Sequence, residues 1–156
     1  MFVPRPIERT RAGDYRLRLS DAERELLRSL PLELLRLLAE DPGDPTLRRL
    51  RQSAYEADEE ADGEFRELMQ RELEDGRRQA LTLLVETASR ERLTAEELDA
   101  WLRALTDLRL VLGTRLEVTE DTYDRDIDPR DPAAYELSVF AYLSWLQEQA
   151  VEAALG

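Results

Sequence analysis

The 156-residue chain contains no cysteine and no histidine, and all 22 of its basic residues are arginine, so lysine is missing as well. These absences remove most side-chain chemistry. Without cysteine there is no disulfide, no thiolate metal site and no thiol nucleophile. Without histidine or lysine there is no imidazole base, no Schiff base, no P-loop lysine and no ordinary zinc site. Carboxylates, tyrosine, hydroxyls, arginine and hard oxygen-ligated metals remain. Long apolar runs are missing too. The longest uncharged stretch, Leu137 to Gln147, has 11 residues, against the ~20 that a membrane-spanning helix requires. The opening MFVPRPIERT has no apolar run behind its arginines, unlike a secretory signal. These features lead us to expect a soluble, cytoplasmic protein.

Negative charge is abundant. Thirty-five acids give a net charge of -13, which opposes binding to nucleic acid and to anionic membranes. The charge is unevenly spread. Residues 1–19 carry five arginines against Glu8 and Asp14, whereas 54–76 carry ten acids against Arg66 and Arg71, and 117–136 carry eight against Arg125 and Arg130. Such runs read as solvated faces or loops.

A chain of this length closes one core, so 1–156 reads as a single domain. Before Ser20 the apolar residues Phe2, Ile7, Tyr15, Leu17 and Leu19 alternate loosely around Ala12-Gly13-Asp14, which predicts a short hairpin within 1–19. Ser20 and Glu23 have capping-box spacing, and leucines 26, 27, 30, 34, 35 and 38 follow at helical intervals, predicting a helix over about 21–40 bent or interrupted at Pro31. DPGDP at 41–45 and DPRDP at 128–132 read as two helix starts, with Asp44 and Asp131 as N-caps and Pro45 and Pro132 in the first helical position. Between them a helix over about 62–89 uses Phe65, Leu68, Leu73, Ala80, Leu84 and Ala88 as anchors, with Gly76 as its weak point. Another opens at Thr94 and Glu97, and its apolar arc through Leu98, Trp101, Leu105, Leu108 and Leu112 is wide enough to make it central. The last runs from Pro132 to about Leu155, after an acidic loop at 117–131, and is either central too or part of an interface. The fold class is therefore mainly α: a bundle of four to five helices with an N-terminal β-hairpin.

Three sites are candidates. Asp58 to Gly63 imitates half a calcium loop but has Met69 where a bidentate Glu belongs, and the run at 124–128 has Pro129 in place of glycine. Neither reads as a calcium site. Glu64-x-x-Glu67 with Glu96-x-x-Asp99 resembles the carboxylate pattern of all-helical nucleoside-triphosphate pyrophosphohydrolases, which hold magnesium between helices; it is the alternative function. In such an acidic chain the pattern has low specificity, since Glu56, Glu59, Glu72 and Asp75 fit it as well. Third, Trp101, Arg103, Asp107, Arg109 and Arg115 share the central helix, with Asp99 spaced to pair with Arg103; Arg109, on a largely apolar side, reads as a register-holding arginine or as an anion or peptide-carboxylate site.

The stretch Trp101 to Val118, WLRALTDLRLVLGTRLEV, together with LSDAERELLRSL, DPTLRRL and YLSWLQEQAVEAAL, resembles an actinobacterial family of unknown function, domain-of-unknown-function family two thousand and seventeen. The likeness covers nearly the whole chain, departing at Arg51-Gln52 where Phe-Pro is expected. It implies a compact, mostly helical cytoplasmic protein and supplies no catalytic residues. It also implies that members are encoded near a Clp protease adaptor and near sulfur-carrier and cysteine-synthesis proteins. The reading that follows is a non-catalytic interaction or accessory module with no cofactor. It would act on a protein partner or a second copy of itself, through Trp101, Arg109, Tyr142 and Trp145, and not on nucleic acid or membrane.

Overall fold

Both capping boxes form in the computed structural model, which describes residues 3–50, 63–116 and 129–156. Along the chain these comprise β1 (Ile7–Arg9), β2 (Tyr15–Leu17), α1 (Asp21–Glu40), a 3-10 turn (Pro45–Leu47), α2 (Gly63–Thr87), β3 (Arg92–Leu93), α3 (Ala95–Arg115) and α4 (Pro132–Leu155). The Ser20 hydroxyl accepts from the Glu23 amide at 3.2 Å while the Glu23 carboxylate accepts from the Ser20 amide at 3.0 Å. Thr94 and Glu97 make the same exchange at 3.1 and 2.8 Å. Each box satisfies two amides that a helix start would otherwise leave unpaired.

The Asp-Pro echo is punctuation. Asp44 accepts from the Thr46 amide at 2.8 Å and Asp131 from the Ala133 amide at 2.9 Å, each with proline next in the chain. The first copy launches a 3-10 turn, from which 48–50 continue helically, and the second launches α4. Helix α1 runs uninterrupted through Pro31, where a bend or an interruption was expected. Pro31 lies with Leu27 and Leu34 on the buried face, so packing offsets the backbone bond that proline removes.

The predicted hairpin forms with Ile7 opposite Leu17 and Arg9 opposite Tyr15. Its turn needs Gly13, whose φ of 92° suits glycine. A third strand, not foreseen, joins it: β3 pairs Leu93 with Tyr15 and Arg92 with Arg16. Two residues are too few to show an alternation, so β3 left no periodic signal.

Helix α3 is central as its wide apolar arc predicted. It packs between α2 and α4 and also touches α1, β3 and the 3-10 turn. Leu98, Trp101, Ala104 and Leu105 are buried on it, against Leu81 and Leu84 of α2, Leu27 of α1 and Leu143 and Leu146 of α4. The anchors proposed for α2 hold only in its C-terminal half. Ala80, Leu84 and Ala88 are buried, whereas Phe65, Leu68 and Leu73 are 52%, 53% and 41% exposed. The cross-links from α2 to α3 explain the division, because they start at Arg77 and end at Thr87, leaving the first three turns of α2 beyond them.

Trp101 Nε1–H donates to the Thr87 hydroxyl at 2.7 Å, and that hydroxyl donates to the Leu83 carbonyl at 2.6 Å. Both side chains are fully buried. Thr87→Val keeps the shape and removes the only acceptor shown for the indole, so it is expected to cost about 1–3 kcal/mol in urea unfolding. Gly76→Ala is expected to stabilise by up to about 1 kcal/mol, since a Cβ there would meet nothing within 4 Å.

Candidate functional site: the groove between α3 and α4

Helices α3 and α4 meet over a close approach at Gly113, where a Cβ would lie 3.2 Å from both the Phe140 ring and the Arg49 guanidinium. One turn earlier, Arg109 reaches across to α4. Its Nε–H donates to the Ser144 hydroxyl at 3.0 Å, its Nη1 donates to the Gln147 side-chain oxygen, and its guanidinium sits 5.7 Å from the Phe140 ring centroid. Gln147 in turn donates to the Thr106 hydroxyl at 2.6 Å. Arg109 therefore holds the register of the two helices, as the structural reading of this residue expected. Its partners are all neutral. Among the described residues it makes no ion pair, and Glu148 on the same side lies beyond that distance.

An open hollow of about 710 Å³ adjoins this cluster, lined by Arg109, Phe140, Ser144, Trp145, Gln147 and Val151 among others. Trp145 is 42% and Val151 41% exposed there. Helix α4 is amphipathic: Val139, Leu143, Leu146 and Ala150 enter the core, and Tyr135, Trp145, Val151 and Leu155 are exposed. Tyr142 packs on Trp145 with ring centroids 5.9 Å apart and donates to Glu23 at 2.7 Å. Burial raises the Tyr142 pKa further out of the neutral range, and the Glu23 carboxylate adds to that. For Glu23, burial pushes the pKa up, but hydrogen bonds from Tyr142 and Ser20 outweigh it and the net shift is downward.

The expected site residues separate as follows. Trp101 must be corrected: it is 0% exposed and cannot contact a partner while the protein is folded. Its wide, apolar neighbourhood signalled core, not surface. Arg109 and Trp145 line the groove, and Tyr142 packs on Trp145 beside it. The expected Asp99–Arg103 pair is absent among the described residues; Asp107 pairs with Arg77 at 3.2 Å instead. Burial raises the Asp107 pKa despite Arg77. Arg115 lies 3.9 Å from Glu136.

The four carboxylates of the magnesium alternative are not brought together. Glu64 and Glu67 lie at the start of α2, and Glu96 and Asp99 at the start of the antiparallel α3. At 1.5 Å per residue, the length of α2 separates the pairs by on the order of 30 Å. No group of three or more acids among the described residues could hold a metal. Of the calcium-like runs, 58–62 and 124–128 lie outside the described residues. Sequence reasoning missed the partners of Arg109, although Ser144 and Gln147, at i and i+3 on α4, are polar positions within an otherwise apolar run.

A helical bundle with a three-stranded cap and an amphipathic outer groove defines a class of small helical domain without a visible reaction centre among its described residues. The chain belongs to the family described as Domain of unknown function (DUF2017), which matches residues 4–154. It is similar to the oxidative stress regulator AosR of Mycobacterium tuberculosis and that of Mycobacterium bovis, each 33% identical over 135 residues, covering 76% of this chain and 62% of the relative. The chain thus spans less than two thirds of the length of these curated relatives. No solved structure matches it significantly. No helix among the described residues is long and apolar enough to cross a membrane.

The Tyr142–Glu23 bond can be tested by pH. Glu23 has a lowered pKa in the fold, so its contribution is present above the ordinary carboxylate value and is lost as pH falls through the folded pKa. Tyr142→Phe is expected to cost about 1 kcal/mol at neutral pH, with the difference from the parent shrinking toward acid in chemical denaturation.

Proposed function

We propose that this chain is a protein-interaction module of an oxidative-stress regulatory response, and that it recognises its partner through the α3–α4 groove. The observation that carries this reading is a half-buried arginine with neutral partners beside an exposed tryptophan and valine. The groove thereby offers a positive charge beside exposed apolar side chains, with Glu148 also on its lining. The complementary occupant is a segment of another protein that places a carboxylate near Arg109 and apolar side chains on Trp145 and Val151. The relatives' name supports the stress setting. Charge supports a protein partner, since a net -13 repels DNA phosphates.

Within these 156 residues there is no cysteine. Sensing by a thiol of this stretch is therefore ruled out, and the oxidant signal reaches the module through its partner or another chemistry. Residence in the cytoplasm and a role linked to Clp-type proteolysis or to sulfur and cysteine metabolism belong to this proposal. They rest on the family resemblance.

The test compares the parent with Trp145→Ala and Arg109→Gln in quantitative affinity capture from stressed and unstressed native lysate, with light scattering for self-association. A common protein retained by the parent and reduced about tenfold by each variant, with thermal midpoints showing both still folded, is the expected result. Equal retention by folded variants would remove the groove from the reading, and a groove-dependent dimer would replace the foreign partner with a second copy.

A further inference from the structure

A second surface lies on the outer face of the sheet. Alternation along the strands sends Ile7, Tyr15, Leu17 and Leu93 inward, leaving Glu8, Arg16 and Arg92 as one row across the three strands. Their register is direct: Glu8 is opposite Arg16, and Arg16 is opposite Arg92. Like charges facing each other across strands are unfavourable. Here Glu8, opposite Arg16, offsets its charge only in part. Glu8 is engaged by Arg18, and Asp14 by Arg92 at 3.4 Å, so Arg16 has no ion pair among the described residues.

Arg24 stands beside this row at the start of α1. Its Nε–H donates to the Leu19 carbonyl at 3.2 Å, and its Nη1 donates to the carbonyls of Ala88 at 3.0 Å and Arg90 at 2.6 Å. Those carbonyls fix the guanidinium without neutralising it. Arg16, Arg18, Arg24 and Arg92 line one open hollow of about 600 Å³, in which Glu91 is the sole acid. Four arginines, one anchored by three carbonyls, thus converge in a chain that is acidic overall.

We propose that this hollow is a binding site for a compact phosphate-bearing anion of nucleotide size. Guanidinium forks match phosphate oxygens in pairs, and a multiply charged ligand would relieve the Arg16–Arg92 repulsion that the sheet otherwise carries. The volume fits a small ligand. Compactness follows from the surrounding charge: an extended polyanion would leave the hollow and meet the acidic remainder of the surface, whereas a small one stays within about one Debye length of the arginines. This site is separate from the α3–α4 groove and stands or falls independently of it.

The experiment is calorimetric titration of the full chain with pyrophosphate, ADP and adenosine, and with a decaglutamate peptide, for the parent and the Arg16→Gln/Arg92→Gln double variant. Both substituted side chains are exposed, so folding is expected to persist, and circular dichroism checks it. Saturable binding of pyrophosphate and ADP but not adenosine, about tenfold weaker in the variant, is expected. A single Arg16→Gln change is expected to lower the temperature gain that pyrophosphate gives. Absence of saturable phosphate binding, or equal binding by the folded variant, would overturn the site. Tighter binding of decaglutamate than of pyrophosphate would also overturn it, in favour of an acidic protein segment.

Discussion

The fold depends on satisfying one buried indole. Trp101 is the bulkiest fully buried side chain, and its N–H requires an acceptor inside the bundle. Thr87 supplies that acceptor because its own hydroxyl proton is already directed at Leu83, one turn back on α2. A single two-bond chain therefore fixes the rotation of α3 against α2. The surrounding corner is built on the same geometry. Just past Thr87, the carbonyls of Ala88 and Arg90 receive Arg24 from α1, and Arg90 itself pairs with Glu97 in the α3 cap at 2.6 Å. Helices α1, α2 and α3 and the strand that joins the last two are thus tied at one end of the molecule.

The absence of lysine shapes how this is done. A guanidinium can reach several carbonyls from one rigid plane, which an ammonium on a flexible stem does less well. Arg24 and Arg109 both exploit this, one bonding backbone carbonyls and the other a serine and a glutamine. Neither makes an ion pair with a carboxylate among the described residues, although the chain has 35 acids. Arginines satisfied by neutral acceptors keep their charge available to a ligand. Arg77, paired with half-buried Asp107, serves packing instead, while Arg18 and Arg92 on the sheet pair with the more exposed Glu8 and Asp14.

Much of the backbone could be read from local chemistry. The S-x-x-E and T-x-x-E spacings located two helix starts, the Asp-Pro dipeptides located two more turns of helix, and Gly13 marked the hairpin turn, because each of these signals acts within a few residues. What escaped the sequence was set by distance. Strand β3 exists because Leu93 finds Tyr15, a pairing that two residues cannot announce. Phe65, Leu68 and Leu73 obey helical periodicity yet stay exposed, since the pattern shows that a face is apolar and not that something covers it. The site divided in the same way. Arg109, Tyr142 and Trp145 stood out as polar or aromatic residues on largely apolar helices and lie in or beside the groove, whereas Trp101 is in the core, where an aromatic residue on a wide apolar arc more often belongs.

The relatives' oxidative-stress name stands beside this chain's lack of cysteine. The relatives are named oxidative stress regulators, but these 156 residues contain none of the cysteine chemistry by which a protein most directly registers oxidant. Among the described residues, arginines and exposed aromatic and aliphatic side chains gather into surfaces, beside the many exposed carboxylates. Two such surfaces, the Arg109–Trp145 groove and the arginine row on the sheet, are supported by different elements and share no lining residue. Helix α1 connects their surroundings: Glu23 bonds Tyr142 beside the groove, and Arg24, the next residue, lines the hollow on the sheet. A ligand that shifts the start of α1 would be felt at both.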